Sequence, residues 1–373
     1  MKRCGNLFSQ ITSFENLYLA SRKARKGKRL KDNVLIFENN IEDELFRLQE
    51  EIILKTYTPG RYREFTIYER KPRKISASPY RDRVVHHALC NIVEPIFEKT
   101  FIFDSYACRK DKGTHRVVDR FTEFCRKNEY VFKADIKKYF PSIDHKILFK
   151  KIKKKIKCKD TLWLIKTIII HSNPQEEVID YFSGDDLLEP FRRRRGIPIG
   201  NLTSQFFANI YLNDLDHYVK EILKCRCYIR YVDDIAILHE SKERLWEIKK
   251  AIEEYLEKER LKLHKDKCLV FSVSIGTDFL GYRIFPTHRL IRKDNSMRFI
   301  RKFREMSRLY KKGFISWDNI NASVQSWLGH ARHADTYGLR RSIFERVIFC
   351  RAANSLEIAE TGDKERSYYE KKK

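Results

Sequence analysis

Two adjacent carboxylates, Asp233 and Asp234, are the residues whose type and spacing point most directly to chemistry. They lie in the segment CYIRYVDDIAILHE, residues 227–240, where apolar and aromatic residues flank the pair without a helical period. This pattern predicts a strand, a tight turn and a second strand, with the two acids at the turn. Neighbouring carboxylates repel each other unless a cation lies between them. The pair is therefore either part of a metal site or a solvated hairpin tip.

A third carboxylate, Asp135, comes near the end of another apolar segment, residues 130–136, which is predicted to be a buried strand. An unpaired carboxylate is costly to bury. Asp135 is followed by the bulky rings of Tyr139 and Phe140. Two interpretations are open: a metal ligand beside a shaped pocket, or an Asp that caps a turn.

A cationic hairpin is predicted over residues 61–83, where apolar and polar residues alternate on either side of a basic tip. The tip carries Lys71, Arg73 and Lys74. Guanidinium and ammonium groups pair with phosphate oxygens, so the tip suits a triphosphate. The other interpretation is an exposed turn. A second basic run, residues 21–31, is either a solvated arm or an arm that contacts phosphates.

The three acids and the basic tip are together suited to phosphoryl transfer. Three carboxylates can hold two Mg²⁺ ions roughly 4 Å apart, bridging the attacking and leaving oxygens of an in-line displacement. Mg²⁺ binds carboxylate and phosphate oxygens together and keeps some of its waters. A β-α-β-β-α-β order of elements, predicted between residues 129 and 286, would bring the strand of Asp135 beside the hairpin of Asp233 and Asp234.

Amphipathic helices are predicted on both sides of this unit. One covers residues 40–56, with Ile41, Leu45, Leu48 and Ile52 at helical spacing. A second is capped by Asn201, Thr203 or Ser204. A third occupies the start of residues 241–270, with Leu245, Ile248, Ile252 and Leu256 facing inward. Residues 279–284 are expected to form a short strand pair in which backbone approaches Gly281 closely. From about residue 287 the sequence becomes basic and helical.

The composition favours a nucleic-acid partner. The 77 Lys and Arg residues against 51 Asp and Glu give a net charge of +26, spread along the chain rather than gathered on one membrane-binding helix. The 9 Cys residues have no CxxC pair and are expected to be reduced thiols. The sequence has neither a signal-peptide pattern nor an apolar run long enough to span a bilayer. We therefore expect a soluble, cytoplasmic protein with no membrane partner.

The chain resembles reverse transcriptases over nearly its whole length. Their motifs follow in family order as KPRKISASPYRDR, DSYACRKDKGTH, FKADIKKYFPSID, GIPIGNLTSQFFANIYLNDLD, YVDD, LKLHKDK and FLGYRI. The resemblance implies an α+β, right-hand polymerase fold. It assigns residues 1–60 to a basic arm and helix, 61–128 to fingers, 129–286 to palm (with finger elements around 145–195), and 287–373 to a helical thumb and basic tail.

The same resemblance implies the roles of individual residues. Asp135, Asp233 and Asp234 would be the catalytic, metal-binding triad for two Mg²⁺ ions, with the backbone carbonyl of Ile136 as a further ligand. Phe140 would stack under the sugar of the incoming dNTP and exclude a 2′-hydroxyl. The other residues expected to bind the nucleotide are Lys71, Arg73, Lys74, Ile136, Ile199, Gly200, Gln205 and Lys267.

One departure points to a subtype. Most bacterial retroelement enzymes of this kind carry QGxxxSP in the fourth motif, whereas this sequence reads IGNLTSQ, with Ile199 in place of Gln and Gln205 in place of Pro. That variant is similar to the reverse transcriptases of diversity-generating retroelements, encoded by bacteria or phages. They copy a template-repeat RNA into cDNA with errors concentrated at template adenines. The resemblance further implies a small, basic, helical and oligomeric accessory protein.

Three alternatives remain at this stage. The chain is also compatible with a retron or group II intron type of reverse transcriptase, because the subtype rests on IGNLTSQ and on chain length. An RNA-dependent RNA polymerase also uses paired aspartates, but the bulky Phe140 favours deoxynucleotides. A non-catalytic RNA-binding scaffold would not require the intact Asp triad.

Overall fold

The computed structural model describes residues 3–68, 72–172 and 176–351, and the chain divides into two compact units. The first unit contains Met1–Val117 and Tyr130–Phe271, and the second contains Val118–Glu129 and Ser272–Lys373. All three predicted catalytic carboxylates lie in the first unit. The predicted boundaries of fingers, palm and thumb stay predictions, because two compact units do not define three subdomains.

Helices make up most of the first unit. They are α1 Phe8–Thr12, α2 Phe14–Ala24, α3 Asp32–Asn39, α4 Ile41–Ile53, α5 Tyr80–Glu98, α6 Thr114–Cys125 (which continues into the second unit), α7 Tyr139–Ser142, α8 His145–Lys153, α9 Lys159–Ile170, α10 Glu189–Arg192, α11 Leu202–His217 and α12 Lys242–Lys258. A π-helical turn, Tyr218–Ile222, extends α11. Its strands are β1 Arg63–Tyr68, β2 Pro72–Ala77, β3 Tyr130–Asp135, β4 Tyr228–Tyr231, β5 Asp234–His239 and β6 Leu269–Ser272.

The helix predictions from apolar periodicity are confirmed. Helix α4 buries Leu45, Leu48 and Ile52 completely, and α12 buries its four predicted apolar residues, Leu245, Ile248, Ile252 and Leu256. Ser241 caps α12 by accepting a 3.0 Å hydrogen bond from the backbone N–H of Arg244. An apolar stripe at helical spacing thus identifies the buried face of each helix.

The predicted cap of α11 is confirmed only in its position. The helix begins directly after Asn201, so Thr203 and Ser204 lie inside it. The Asn201 side chain does not bond the first turn of the helix. Its Oδ1 instead accepts hydrogen bonds from the backbone N–H of Ser78, at 3.3 Å, and from the Ser78 hydroxyl, at 3.1 Å. Asn201 therefore ties the start of α11 to the segment that follows the hairpin.

The central sheet carries the predicted β-α-β-β-α-β unit. In the described part of the chain its strand order is β4-β5-β3-β6, and β5 pairs antiparallel with both β4 and β3. The interiors of β3 and β5 are buried, and α12 and α11 pack beside them in the main core. Strands β1 and β2 form a separate antiparallel hairpin, also as predicted. The α+β class is thereby confirmed.

The second unit combines a small sheet with helices. Besides the end of α6 it contains β7 Thr277–Phe279, β8 Tyr282–Ile284, β9 Arg289–Ile291, α13 Lys293–Lys311, α14 Trp317–Ala331 and α15 Tyr337–Glu345. Phe299 of α13 stacks on Trp327 of α14 with ring centroids 4.1 Å apart. Gly281, between β7 and β8, has φ +92°, and a Cβ there would come within 3.3 Å of the His330 ring. The predicted close approach at this glycine is confirmed.

None of the helices in residues 3–68, 72–172 and 176–351 is both long enough and apolar enough to cross a bilayer.

Candidate active site

The hairpin between β4 and β5 brings the three predicted carboxylates to one end of the sheet. Asp234 begins β5 and is the register partner of Asp135, the last residue of β3. Asp233 lies in the turn itself, and its carbonyl accepts a 3.4 Å hydrogen bond from the backbone N–H of Ile136. Directly opposed residues of an antiparallel pair have Cβ atoms about 5 Å apart. The sheet register therefore places the three acids next to one another.

The turn has an uncommon backbone conformation. Val232 adopts φ +57°, in the left-handed region that β-branched residues avoid. Such strain persists only where the surrounding structure holds it. The carbonyl of Val232 accepts a 3.0 Å hydrogen bond from Nη1 of Arg230, a side chain with no exposed surface. The buried guanidinium of Arg230 thus holds the turn that carries Asp233.

Arg230 is itself held by a polar network inside the sheet–helix core. Its Nε and Nη2 donate to the two carboxylate oxygens of Asp216, on α11, at 2.7 and 2.6 Å. The hydroxyl of Tyr228 donates to the same carboxylate at 2.6 Å, and Asn209 accepts from Nη1 of Arg230 at 3.2 Å. Burial opposes the charge of Arg230, but Asp216 outweighs it, so the pKa of Arg230 is raised. The guanidinium of Arg230 therefore stays charged at any physiological pH.

The environment of Asp233 and Asp234 disfavours their negative charge. Burial, and then repulsion by Asp135 and Asp234, raises the pKa of Asp233 to about 7. Burial also raises the pKa of Asp234, with a further contribution from Asp135. Carboxylates in this condition favour either a proton or a cation among them.

A lysine side chain places a positive charge next to these carboxylates. The chain after α12 runs beside the end of β3, where the backbone N–H of His264 donates to the Asp135 carbonyl at 2.8 Å. This pairing brings Nζ of Lys267 into an ion pair with the Asp135 carboxylate. The sequence places Lys267 in the motif LKLHKDK without saying what it touches, and the structure brings it to the predicted triad.

The donor set fits Mg²⁺. Within the described residues, no three His, Cys, Asp or Glu side chains already stand in a metal-binding arrangement, and Asp135 is engaged by Lys267. The chemistry of the site nevertheless suits a divalent cation, because the pKa values of Asp233 and Asp234 are raised by burial and by repulsion that a cation would relieve. Carboxylate oxygens are the ligands that Mg²⁺ takes in nucleotide-processing sites. Asp135, Asp233 and Asp234 would hold it.

The fourth motif lies against the hairpin of β1 and β2. The carbonyl of Ile199 accepts a 3.1 Å hydrogen bond from the backbone N–H of Ser76. Gly200 has φ +115°, and a Cβ there would lie 2.9 Å from Cγ2 of Ile75, so only glycine fits this approach. Ile199 is partly buried, while Gln205 is exposed on the first turn of α11.

The remaining residues predicted to bind the nucleotide are Phe140, Arg73, Lys74 and Lys71. Phe140 is partly buried and follows Asp135 by five residues in the chain, and its carbonyl accepts a hydrogen bond from the N–H of Ile197 at 3.0 Å. Arg73 and Lys74 were predicted at the hairpin tip, but they lie exposed within β2, where Ile67 and Thr66 of β1 are their register partners. Lys71 lies outside the described residues.

Sequence reasoning did not identify Arg230 and Asp216 as part of the site. A signal was present, because Arg230 stands between apolar residues in CYIRYV and Asp216 follows an apolar helical segment. A charged residue in an otherwise buried segment requires a partner. What the sequence does not reveal is that the partner lies on α11 and that the guanidinium also reaches the turn that carries Asp233.

Comparison with known proteins gives the family. Residues 63–284 match the reverse transcriptase (RNA-dependent DNA polymerase) family, and this match covers more than half of the chain. The chain belongs to this family. It is a nucleotidyltransferase of the RNA-directed DNA polymerase class, and its α+β architecture is the right-hand polymerase fold, as predicted. The carboxylates at the end of β3 and at the β4–β5 turn lie within the matched residues.

Individual relatives differ in how much of this reverse transcriptase they cover. Protein YkfC of Escherichia coli (strain K12) is 27% identical over 303 residues, which are 70% of this chain and 74% of YkfC. The group II intron-encoded protein LtrA of Lactococcus lactis subsp. cremoris is 24% identical over 216 residues, 56% of this chain and 33% of LtrA. Apo telomerase from Candida tropicalis, truncated from its C-terminal domain, aligns at 15% identity and a TM-score of 0.47, covering 66% of this chain and 59% of that one. The chain thus spans a third of LtrA and about three fifths of this telomerase chain.

Proposed function

We propose that this reverse transcriptase copies a template-repeat RNA into cDNA for a diversity-generating retroelement, with errors concentrated at template adenines. Its substrates would be template RNA, the growing RNA–cDNA duplex and dNTPs. The net charge of +26 supports a polyanionic partner. The product would diversify a target gene by mutagenic retrohoming.

The chemistry would rest on the residues gathered at the end of the sheet. Asp135, Asp233 and Asp234 would hold two Mg²⁺ ions, with the Ile136 carbonyl as a further ligand. When bound, the metal would stabilise charge on the attacking and leaving oxygens. The side chains of the hairpin, Lys71, Arg73 and Lys74, would bind the triphosphate, and Phe140 would exclude a 2′-hydroxyl. Lys267, which pairs with Asp135, would hold the carboxylates in place and lie beside the nucleotide.

The proposed subtype rests mainly on Ile199, which stands where most related enzymes have Gln. This residue is held beside the hairpin through its carbonyl, which accepts from Ser76, and its side chain is only partly buried. A Gln at this position could hydrogen-bond the nucleotide, whereas Ile cannot. A site without that hydrogen bond rejects a mispaired nucleotide less strictly. Gly200 and Gln205 complete the variant motif on either side of Asn201.

The test is to sequence cDNA made from a defined RNA by the wild type and by Ile199→Gln, with and without a candidate accessory protein. We expect wild-type errors to concentrate at template adenines and to fall at those positions in Ile199→Gln. Ile199→Val is the matched control, because it keeps an apolar β-branched side chain and should keep the error profile. Equal error rates at all four template bases in the wild type would refute the assignment.

A second candidate is a group II intron type of reverse transcriptase. The similarity to LtrA, a group II intron-encoded protein, favours it. This candidate predicts errors that do not concentrate at template adenines in the same experiment. The small basic accessory protein belongs only to the first proposal, so a gain in cDNA yield on adding such a protein would separate the two further.

A further inference from the structure

A cluster of lysines lies directly beside the catalytic strand. Lys137 and Lys138 follow Asp135 by two and three residues, and the backbone N–H of Lys137 donates to the carbonyl of Lys262 at 2.8 Å. The side chains of Lys137, Lys138 and Lys262 are 45%, 37% and 41% exposed. Three partly exposed lysine side chains therefore cluster next to the end of β3.

An acidic segment of the same chain covers these lysines. Residues 176–186, EEVIDYFSGDD, contain acids but no lysine or arginine, in a chain with a net charge of +26. The Nζ atoms of Lys137 and Lys262 both lie 3.3 Å from the same oxygen, Oδ1 of Asp180. Lys138 lies 2.7 Å from Oε1 of Glu176. The segment thus places carboxylates where the lysines converge.

The acidic segment is anchored separately from these contacts. Arg193, whose side chain is 2% exposed, forms an ion pair with Asp185. The ring of Phe182 lies 5.4 Å from the Arg193 guanidinium and 5.0 Å from Nζ of Lys262. The turn of the segment is closed by a 2.8 Å hydrogen bond from the N–H of Phe182 to Asp185. The Asp180 and Glu176 contacts can therefore open while Asp185 stays bound.

A phosphate oxygen is the natural competitor for this position. It is anionic, as a carboxylate oxygen is, and accepts hydrogen bonds from the same ammonium donors. Contacts of lysine with backbone phosphates supply much of the affinity of proteins for nucleic acids. Exposed lysine–carboxylate pairs are weak and screened by salt, so a polyanion can displace them.

We propose that Lys137, Lys138 and Lys262 form a phosphate-binding surface and that the acidic segment, residues 176–186, occupies it until substrate phosphates displace Asp180 and Glu176. The proposal rests on the proposed polymerase function, since it takes the ligand to be a substrate of that reaction. The phosphates belong either to the RNA–DNA backbone or to the incoming triphosphate. The acidic segment lowers the affinity for whichever of them binds there.

The test compares the full-length wild type with Asp180→Asn and Glu176→Gln, each of which removes one negative charge with little change of shape. The measurements are the Kd for a labelled RNA–DNA duplex without dNTP, and the KM for dNTP at saturating duplex. We expect Asp180→Asn to tighten one of the two by about two- to fivefold, the factor that corresponds to one exposed ion pair. A change in Kd assigns the surface to the backbone, and a change in KM assigns it to the triphosphate.

Two controls separate this effect from general electrostatics and from misfolding. Glu254→Gln, at an exposed position of α12, changes the net charge equally and should leave both constants unchanged. The gain from Asp180→Asn should vanish in a Lys137→Gln/Lys262→Gln background. If Asp180→Asn lowers the melting temperature, the Kd and KM of Glu176→Gln are used instead, because Glu176 is exposed.

The proposal is overturned if stably folded Asp180→Asn and Glu176→Gln variants leave both the Kd for duplex and the KM for dNTP unchanged, or raise them. The Kd measurement needs no catalysis, so it can be read whether or not the wild type makes cDNA. A wild type that binds duplex but extends no primer would instead contradict the proposed function.

Discussion

The buried ion pair of Arg230 and Asp216 gives the sharpest prediction about how the fold supports the site. Both side chains have no exposed surface, and the guanidinium makes contacts with three different groups: Asp216, Asn209 and the carbonyl of Val232. In Arg230→Met the carboxylate of Asp216 stays buried, with the Tyr228 hydroxyl but without its cation. Removing one member of a buried ion pair costs about 3–5 kcal/mol. We expect the free energy of unfolding to fall by that amount.

A double variant separates stability from positioning. In Arg230→Met/Asp216→Leu no charge is left buried, and replacing a whole buried pair by apolar side chains is often neutral. We therefore expect the double variant to recover most of the lost stability. It still lacks the donor to the Val232 carbonyl, so the strained turn of Asp233 is no longer fixed. A misplacement of about 1 Å can cost roughly 100-fold in rate.

Urea unfolding and primer extension on an RNA template measure the two effects. The expected pattern is a double variant with near wild-type unfolding midpoint and a kcat reduced by about 10- to 100-fold. A double variant with wild-type kcat would show that Arg230 serves stability alone. An Arg230→Met variant as stable as the wild type would refute the reasoning about the buried charge.

Three further predictions concern a close contact, pH and salt. Gly200→Ala should lower the free energy of unfolding by about 1–3 kcal/mol, because φ is +115° and the new Cβ would lie 2.9 Å from Ile75; a change below about 0.5 kcal/mol in urea unfolding would contradict it. Burial would raise the pKa of Glu38, but hydrogen bonds from Ser21 and Tyr80 outweigh it and the pKa is lowered. Its contribution to stability is therefore present above the unfolded pKa of about 4.3 and lost as pH falls through the lower folded pKa. The difference in stability between wild type and Glu38→Gln, followed by urea unfolding from pH 6 to pH 3, should shrink with acidity, and a constant difference would argue against the assignment. Affinity for RNA should fall steeply with salt in a fluorescence titration, because phosphate contacts release counterions; a flat response would count against the basic surface as the RNA track.

Local patterns were sufficient for much of the fold. The alternation around Phe65 and Ile75 identified the hairpin, and the stripe of Leu245, Ile248 and Ile252 identified the buried face of α12. These predictions work because a strand or an amphipathic helix is determined by residues close together in sequence. The acids at a predicted turn, and Asp135 at a strand end, are signals of the same local kind.

Contacts between distant segments were not predictable in the same way. The pairing of Lys267 with Asp135 spans 132 residues. The pairing of Arg230 with Asp216 joins β4 to α11, and it orients the guanidinium that also bonds the carbonyl of Val232. The two lysines that converge on Asp180 come from segments on either side of it. In each case the charged residue type indicated that a partner was needed, but which partner it has depends on tertiary packing. Family resemblance assigned roles to single residues, and it did not supply these connections.

Asp135, Asp233 and Asp234 are proposed to form the catalytic site, and the decisive variant is Asp233→Asn. The measurement is primer extension on an RNA template with Mg²⁺ and dNTPs, with Asp43→Asn, exposed on α4, as the charge-matched control. We expect Asp233→Asn to reduce cDNA synthesis by about 100-fold or more. The variant should keep duplex binding and be at least as stable as the wild type, because repulsion at the turn is relieved. Undiminished cDNA synthesis by Asp233→Asn would contradict the proposed catalytic site.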